Sequence, residues 1–174
     1  MANFLKYGLM AGLLSAAYSL ILHFTGSDLR FNTTLAMVVM IVVPIIFMVM
    51  AVKADRNEQE GLISFGEALK TSFLTYLIFV VIAMIVGHLL IQMYSADDWN
   101  RMLALQKDMM TSMFGAVGMD QIQIDEELDK ITVDSLKEMT GGIGAVLMNI
   151  LTYSFLGLIL SLIISAIMKK NPTP

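Results

Sequence analysis

Two histidines, and a few amides and hydroxyls set in otherwise apolar runs, are the residues here with chemistry to offer. His88 and Gln92 stand one helical turn apart on the same face of a run ending near Tyr94, and His23 lies near the end of an earlier run. Imidazoles at similar depth could bind a metal or pass a proton. Two of them, with no carboxylate inside any run, do not make a closed zinc site. The expectation is therefore no resident metal, with His23, His88 and Gln92 bonding between helices or to interfacial water. Asn149, with Thr152, Tyr153 and Ser154, makes the last run polar along part of its length. A solute path is one reading. The preferred one is a hydrogen bond from Asn149 to another helix, worth about 0.6 kcal/mol.

Other chemistry finds little support. Asp125, Glu126, Glu127 and Asp129 lack the alternating oxygen ligands and central glycine of a calcium loop, and read as a solvated helix N-terminus. The chain has no Ser-His-Asp order, no His-Glu-x-x-His and no phosphate-cradling glycine loop. No catalytic residue and no cofactor are expected, and an enzyme is the least supported class. Zero cysteines remove disulfides and thiolate sites. A net charge of −4 with no basic stripe gives nucleic-acid binding no electrostatic support.

The elements that must position these residues follow from composition. Of 174 residues, 57% are hydrophobic and only 15% charged, and the charges cluster between long apolar runs. A soluble bundle would interleave charge along each helix; segregation of this kind fits lipid. Spans are expected at about 7–24, 35–52, 73–94 and 143–168. The first run is too long for a cleaved leader ending near Ala16 and Ala17, since it continues to Phe24. The second is rich in β-branched residues, yet a run of this length satisfies its backbone in lipid as a helix, bent at Pro44. Lys53 to Glu60 reads as a charged turn. Ser64 and Glu67 then form a capping box that starts the helix leading into span three.

Residues 95–142 hold ten of the fifteen acidic residues, from Asp97 to Glu138. Ser95-Ala96-Asp97-Asp98 starts a helix in which Trp99, Met102, Leu103, Met109, Met110, Met113, Phe114 and Val117 recur mostly at spacings of three and four. That stripe could cap the bundle, receive a partner, or lie on the membrane with Trp99 among the headgroups. A second helix is expected from about Asp125 to Met139, burying Leu128, Ile131 and Leu136. Asn171 to Pro174 reads as a disordered tail.

The fold class is thus all-α: an integral membrane four-helix bundle, one membrane domain, with an amphipathic helical insertion between spans three and four. Gly8 and Gly12, continued by Ala11, Ser15 and Ser19, form a small-residue row that admits a neighbouring backbone, and Gly157, Ser161 and Ser165 form another. The two rows are candidates to pack on each other. With four spans both termini share a side, and Lys6, Lys53, Arg56, Lys70, Lys169 and Lys170 there, concentrated in short segments, favour cytoplasmic termini.

Lys6-x-Gly8-x-x-x-Gly12, the segment Gly61-Leu62-Ile63-Ser64-Phe65-Gly66-Glu67-Ala68-Leu69-Lys70, and the long helical insertion before span four resemble a bacterial four-span membrane family known as a domain of unknown function. The resemblance covers nearly the whole chain. It implies the fold and a bacterial inner membrane, and supplies no catalytic residue or substrate. The functional expectation is a non-enzymatic structural, accessory or regulatory membrane component. Its partners would be the bilayer and a membrane protein or a second copy of the chain. The alternative is a small transporter or channel subunit, which the absence of charge within the spans disfavours.

Overall fold

The computed structural model describes residues 2–170, so the expectation for Asn171 to Pro174 lies outside the described residues. Helix α1 spans Asn3–Phe24, α2 Thr33–Glu58, α3 Phe65–Ile91, α4 Ala96–Ala116, α5 Gln121–Asp129, α6 Val133–Gly141 and α7 Ile143–Met168, with a 3-10 turn at Asp28–Phe31 between α1 and α2. Four helices, α1, α2, α3 and α7, are long and apolar enough to cross a membrane. The chain divides into two compact units. The first takes the described residues up to Gly87 and from Leu147; the second is His88–Val146.

The first unit is apolar outside and hydroxyl-lined within. Leu13, Ile21, Ile46, Leu151, Phe155 and Ile167 are exposed, whereas Ser15, Thr71, Ser72, Thr75, Ser161 and Ser165 are buried. Water would favour the reverse, and lipid as solvent accounts for it. Four of these hydroxyls spend their protons within their own helices: Ser72 donates to the Ala68 carbonyl at 2.7 Å, Thr75 to Thr71 at 2.7 Å, Ser161 to Gly157 at 2.7 Å and Ser165 to Ser161 at 2.6 Å. A buried hydroxyl thereby costs little even without a cross-helix partner. Tyr76, Phe79 and Val80 of α3, Met48 and Val52 of α2 and Ala11 of α1 fill the centre.

Both small-residue rows lean on α3 rather than on each other. A β-carbon at Gly8 would lie 2.8 Å from Ile78 Cβ, and one at Gly12 2.6 Å from Ile82 Cδ1. One at Gly157 would lie 2.0 Å from Tyr76 Cδ1. Ser165 Oγ meets Ser72 Oγ at 3.4 Å, again across α7 and α3. The row-on-row pairing is therefore replaced by two separate contacts, because α3 presents bulky side chains that need a glycine opposite them.

Several element boundaries differ from the sequence expectation. Lys53 to Glu60 is not a turn: α2 runs through Pro44 and on to Glu58, held by bonds described below. The apolar run of span three outlasts its helix, which ends at Ile91. The single helix expected from Asp125 to Met139 is two, because Thr132 caps a fresh start, accepting from Ser135 N while Ser135 Oγ accepts from Thr132 N. The acidic cluster is not at a helix N-terminus either. Asp120 takes that place, accepting from Gln123 N at 2.9 Å, and Asp125 to Asp129 follow along α5, with Glu127 paired to Lys130.

The capping box entering α3 forms as expected: Glu67 N donates to Ser64 Oγ at 3.3 Å, and Ser64 N to Glu67 Oε2 at 3.0 Å. Ser95 and Asp98 repeat the device at the start of α4.

Candidate functional site

The second unit carries the exposed chemistry, and α4 organises it. One face of α4 turns inward: Trp99 is buried, and Met102, Leu103, Met110 and Phe114 are half-buried. Leu105, Met109 and Met113, four residues apart each time, are exposed on the neighbouring flank, at 39%, 51% and 59%. At 3.6 residues per turn the two sets lie about a quarter of a turn apart. The methionine-rich stripe read in the sequence is therefore two surfaces. The inner one belongs to the packing of α4 with α5 and α6. The outer one is uncovered among the described residues. Val117 and, on α5, Ile122 are further exposed apolar side chains in this unit.

Trp99 is not available to headgroups as a free ring. It is 8% exposed, Tyr94 meets it edge-on at 5.8 Å between centroids, and the Lys137 ammonium stands 5.7 Å from its centroid. Beside it a cleft of about 250 Å³ is lined by Ile91, Gln92, Trp99, Lys137 and Gly141. Gln92 Nε2 donates to the Gly141 carbonyl at 3.3 Å, tying the end of α3 to the end of α6.

The polar residues singled out in the runs are placed as follows. His88 is half-buried with Nδ1 enclosed and without a hydrogen-bond partner. Gln92 is exposed at the cleft. In the first unit, His23 packs edge-on against Phe24 at 5.4 Å. Asn149 is exposed on α7 and has no side-chain partner among the described residues, so the interhelical hydrogen bond expected of it does not form. Among the described residues no three His, Asp or Glu side chains gather where a metal could be held.

Sequence reasoning missed a polar assembly at the opposite end of the first unit. Asn3 Nδ2 of α1 donates to Asp55 Oδ1 at 2.8 Å and to Glu58 Oε1 at 2.9 Å, both on α2. Thr71 of α3 donates to the other Asp55 oxygen. Three helices are thus tied through one half-buried carboxylate. A cleft of about 310 Å³ opens there, bordered also by Glu67 and Lys70. Nearby Ile63 and Lys170 exchange two backbone hydrogen bonds of 3.1 and 2.9 Å, so the start of α1, the end of α2, the start of α3 and the end of α7 share one end of the unit. The signal was present but faint: Asp55 lies a turn beyond the apolar run, at a register that faces α1 and α3.

An exterior of Leu, Ile and Phe around a hydroxyl-lined interior defines an all-α membrane helical bundle. The chain belongs to the family described as "Protein of unknown function (DUF4199)", whose model matches residues 6–170. No curated protein matches the chain, and no solved structure does.

Proposed function

We propose that the chain is a non-enzymatic, multi-pass component of a bacterial cytoplasmic membrane, with both termini cytoplasmic. It acts through contact with another membrane protein at the outer stripe of α4. The observation that carries this reading is the uncovered row of Leu105, Met109 and Met113 on a helix whose other apolar face is already occupied. Unbranched, polarizable methionines repack against varied shapes, which suits a recognition surface.

Charge indicates the kind of partner. Residues 88–146 hold ten carboxylates against four cations, a net charge of −6. A second copy of this unit would be repelled. A segment that presents apolar side chains edged by Lys or Arg would be attracted, as amphipathic helices are to apolar grooves with an acidic rim. Orientation rests on the six cations of the short connections and ends, from Lys6 to Lys170. Transport draws little support from the first unit, whose centre is filled by Tyr76, Phe79 and Met48.

The test is a photoreactive side chain at Met109 in native membranes, with one at Ala104 on another face of α4 as control, followed by mass spectrometry of the captured peptide. The reading expects one foreign membrane protein, captured from position 109 alone, through a segment combining apolar and basic residues. Capture of lipid only, or of the chain itself only, overturns it.

A further inference from the structure

The geometry points to a lipid-headgroup site in the second unit: the cleft between Gln92, Trp99 and Lys137 binds a phosphoethanolamine headgroup, with the phosphate on Lys137 and the amino group on Gln92. Depth is the first argument. Helix α3 has 27 residues and is about 40 Å long at 1.5 Å per residue. A bilayer with its headgroups measures about 40–45 Å. The candidate span ends at Ile91, so Ile91 and Gln92 stand where a spanning helix leaves the hydrocarbon for the headgroups.

The second argument is an unspent cation. Lys137 forms no ion pair among the described residues, and its one recorded interaction is with the Trp99 ring. The ring orients the ammonium without neutralising it. Lys137 is exposed, and a cation free of an ion pair at a headgroup layer recruits a phosphate oxygen through a charge-assisted hydrogen bond. Third, Gln92 has given its Nε2 to Gly141, which orients the carboxamide, and its Oε1 accepts from no donor among the described residues. An acceptor beside a cation suits a ligand with both an anionic group and a hydrogen-bond donor.

Charge then selects among phosphodiesters. The net −6 of residues 88–146 disfavours a lipid that is itself anionic, whereas a zwitterion brings its own compensating ammonium. Phosphocholine is also net neutral, but its quaternary nitrogen has no proton to give to Gln92 Oε1. The cleft of about 250 Å³ would hold roughly eight waters at about 30 Å³ each, ample for such a headgroup.

The chain has one tryptophan, so fluorescence reports this cleft alone. The full-length protein in detergent micelles is titrated with dihexanoyl-phosphatidylethanolamine, the matching phosphatidylcholine and phosphatidylglycerol, and inorganic phosphate. The expected result is a saturable change with the ethanolamine lipid, at a midpoint at least about threefold lower than for the other three. Lys137→Gln should raise that midpoint about tenfold and Lys137→Arg should preserve it. Gln92→Leu should erase the preference over phosphatidylcholine. A non-saturable change, an unmoved midpoint in Lys137→Gln, or equal binding of phosphatidylglycerol or inorganic phosphate overturns the assignment.

Discussion

Replacing Gly157 with alanine adds one methyl group where the structure has no room for it. The new carbon would lie 2.0, 2.4 and 2.8 Å from three atoms of the Tyr76 ring, against an ordinary contact of 3.4 Å or more. The ring cannot step aside, because Tyr76 and its neighbour Phe79 are both fully buried. Helix α7 must therefore move out by more than an ångström or the ring must leave its rotamer. Overpacking of this kind costs about 1–3 kcal/mol, and the wedged ring puts Gly157 at the upper end. Alanine's better helix propensity returns about 0.8–1.0 kcal/mol, leaving a net loss of about 2 kcal/mol. Gly87→Ala is the control, since a β-carbon there meets nothing within 4 Å and the propensity gain stands alone. Both variants would be unfolded in dodecylmaltoside micelles by increasing dodecyl sulfate and followed by far-ultraviolet circular dichroism. Pairing Gly157→Ala with Tyr76→Leu should shrink the alanine penalty, because contacting residues couple. The reasoning is refuted if Gly157→Ala is as stable as the parent, or if it shifts in the same direction as Gly87→Ala.

Asp55→Ala removes the carboxylate that accepts from both Asn3 and Thr71, and should lower stability by about 1.5–3 kcal/mol in the same assay, more than Asn3→Ala. Lys170→Pro deletes the N–H that donates to the Ile63 carbonyl, so it should destabilise by about 1 kcal/mol relative to Lys170→Ala. Met113→Ser, on the uncovered flank of α4, should change stability by less than about 0.5 kcal/mol while abolishing capture of the partner from a photoreactive side chain at position 109. Because the chain has no cysteine, single cysteines introduced at Asn57 and Ser27 report topology cleanly. An impermeant maleimide applied to intact cells should label position 27 and spare position 57.

Span positions, the capping box of Ser64 and Glu67, the helix start at Ser95 and the small-residue rows were legible because each depends on neighbours in sequence: a run length, a Ser three residues before an acid, a Gly every fourth position. What the rows touch was not legible, since Tyr76 and Ile82 face Gly157 and Gly12 through the arrangement of three helices. The amphipathic pattern of α4 was visible, but periodicity cannot separate a face that packs from a flank that does not; Met110 and Met109 are adjacent in sequence and differ in burial. Asp55 was hidden for another reason. Charge just past an apolar run reads as solvated, and only the reach of Asn3 and Thr71 makes it a tie between helices.

The pairing of Ile63 with Lys170 sets the order in which the protein can be built. The two residues are 107 positions apart, and the second is made only after all four spans. Helices α1, α2 and α3 can meet while the chain is still growing, because Gly8, Gly12, Asp55 and Thr71 are all made early. Helix α7 arrives after the other three spans, and its seat against Tyr76 stands open to lipid until α7 is inserted. During that interval the half-built bundle depends on whatever else occupies the seat, a lipid tail or an insertion factor. A fusion placed directly after Lys170 would also emerge beside the entrance to α3, next to the cleft bordered by Lys70 and Glu67.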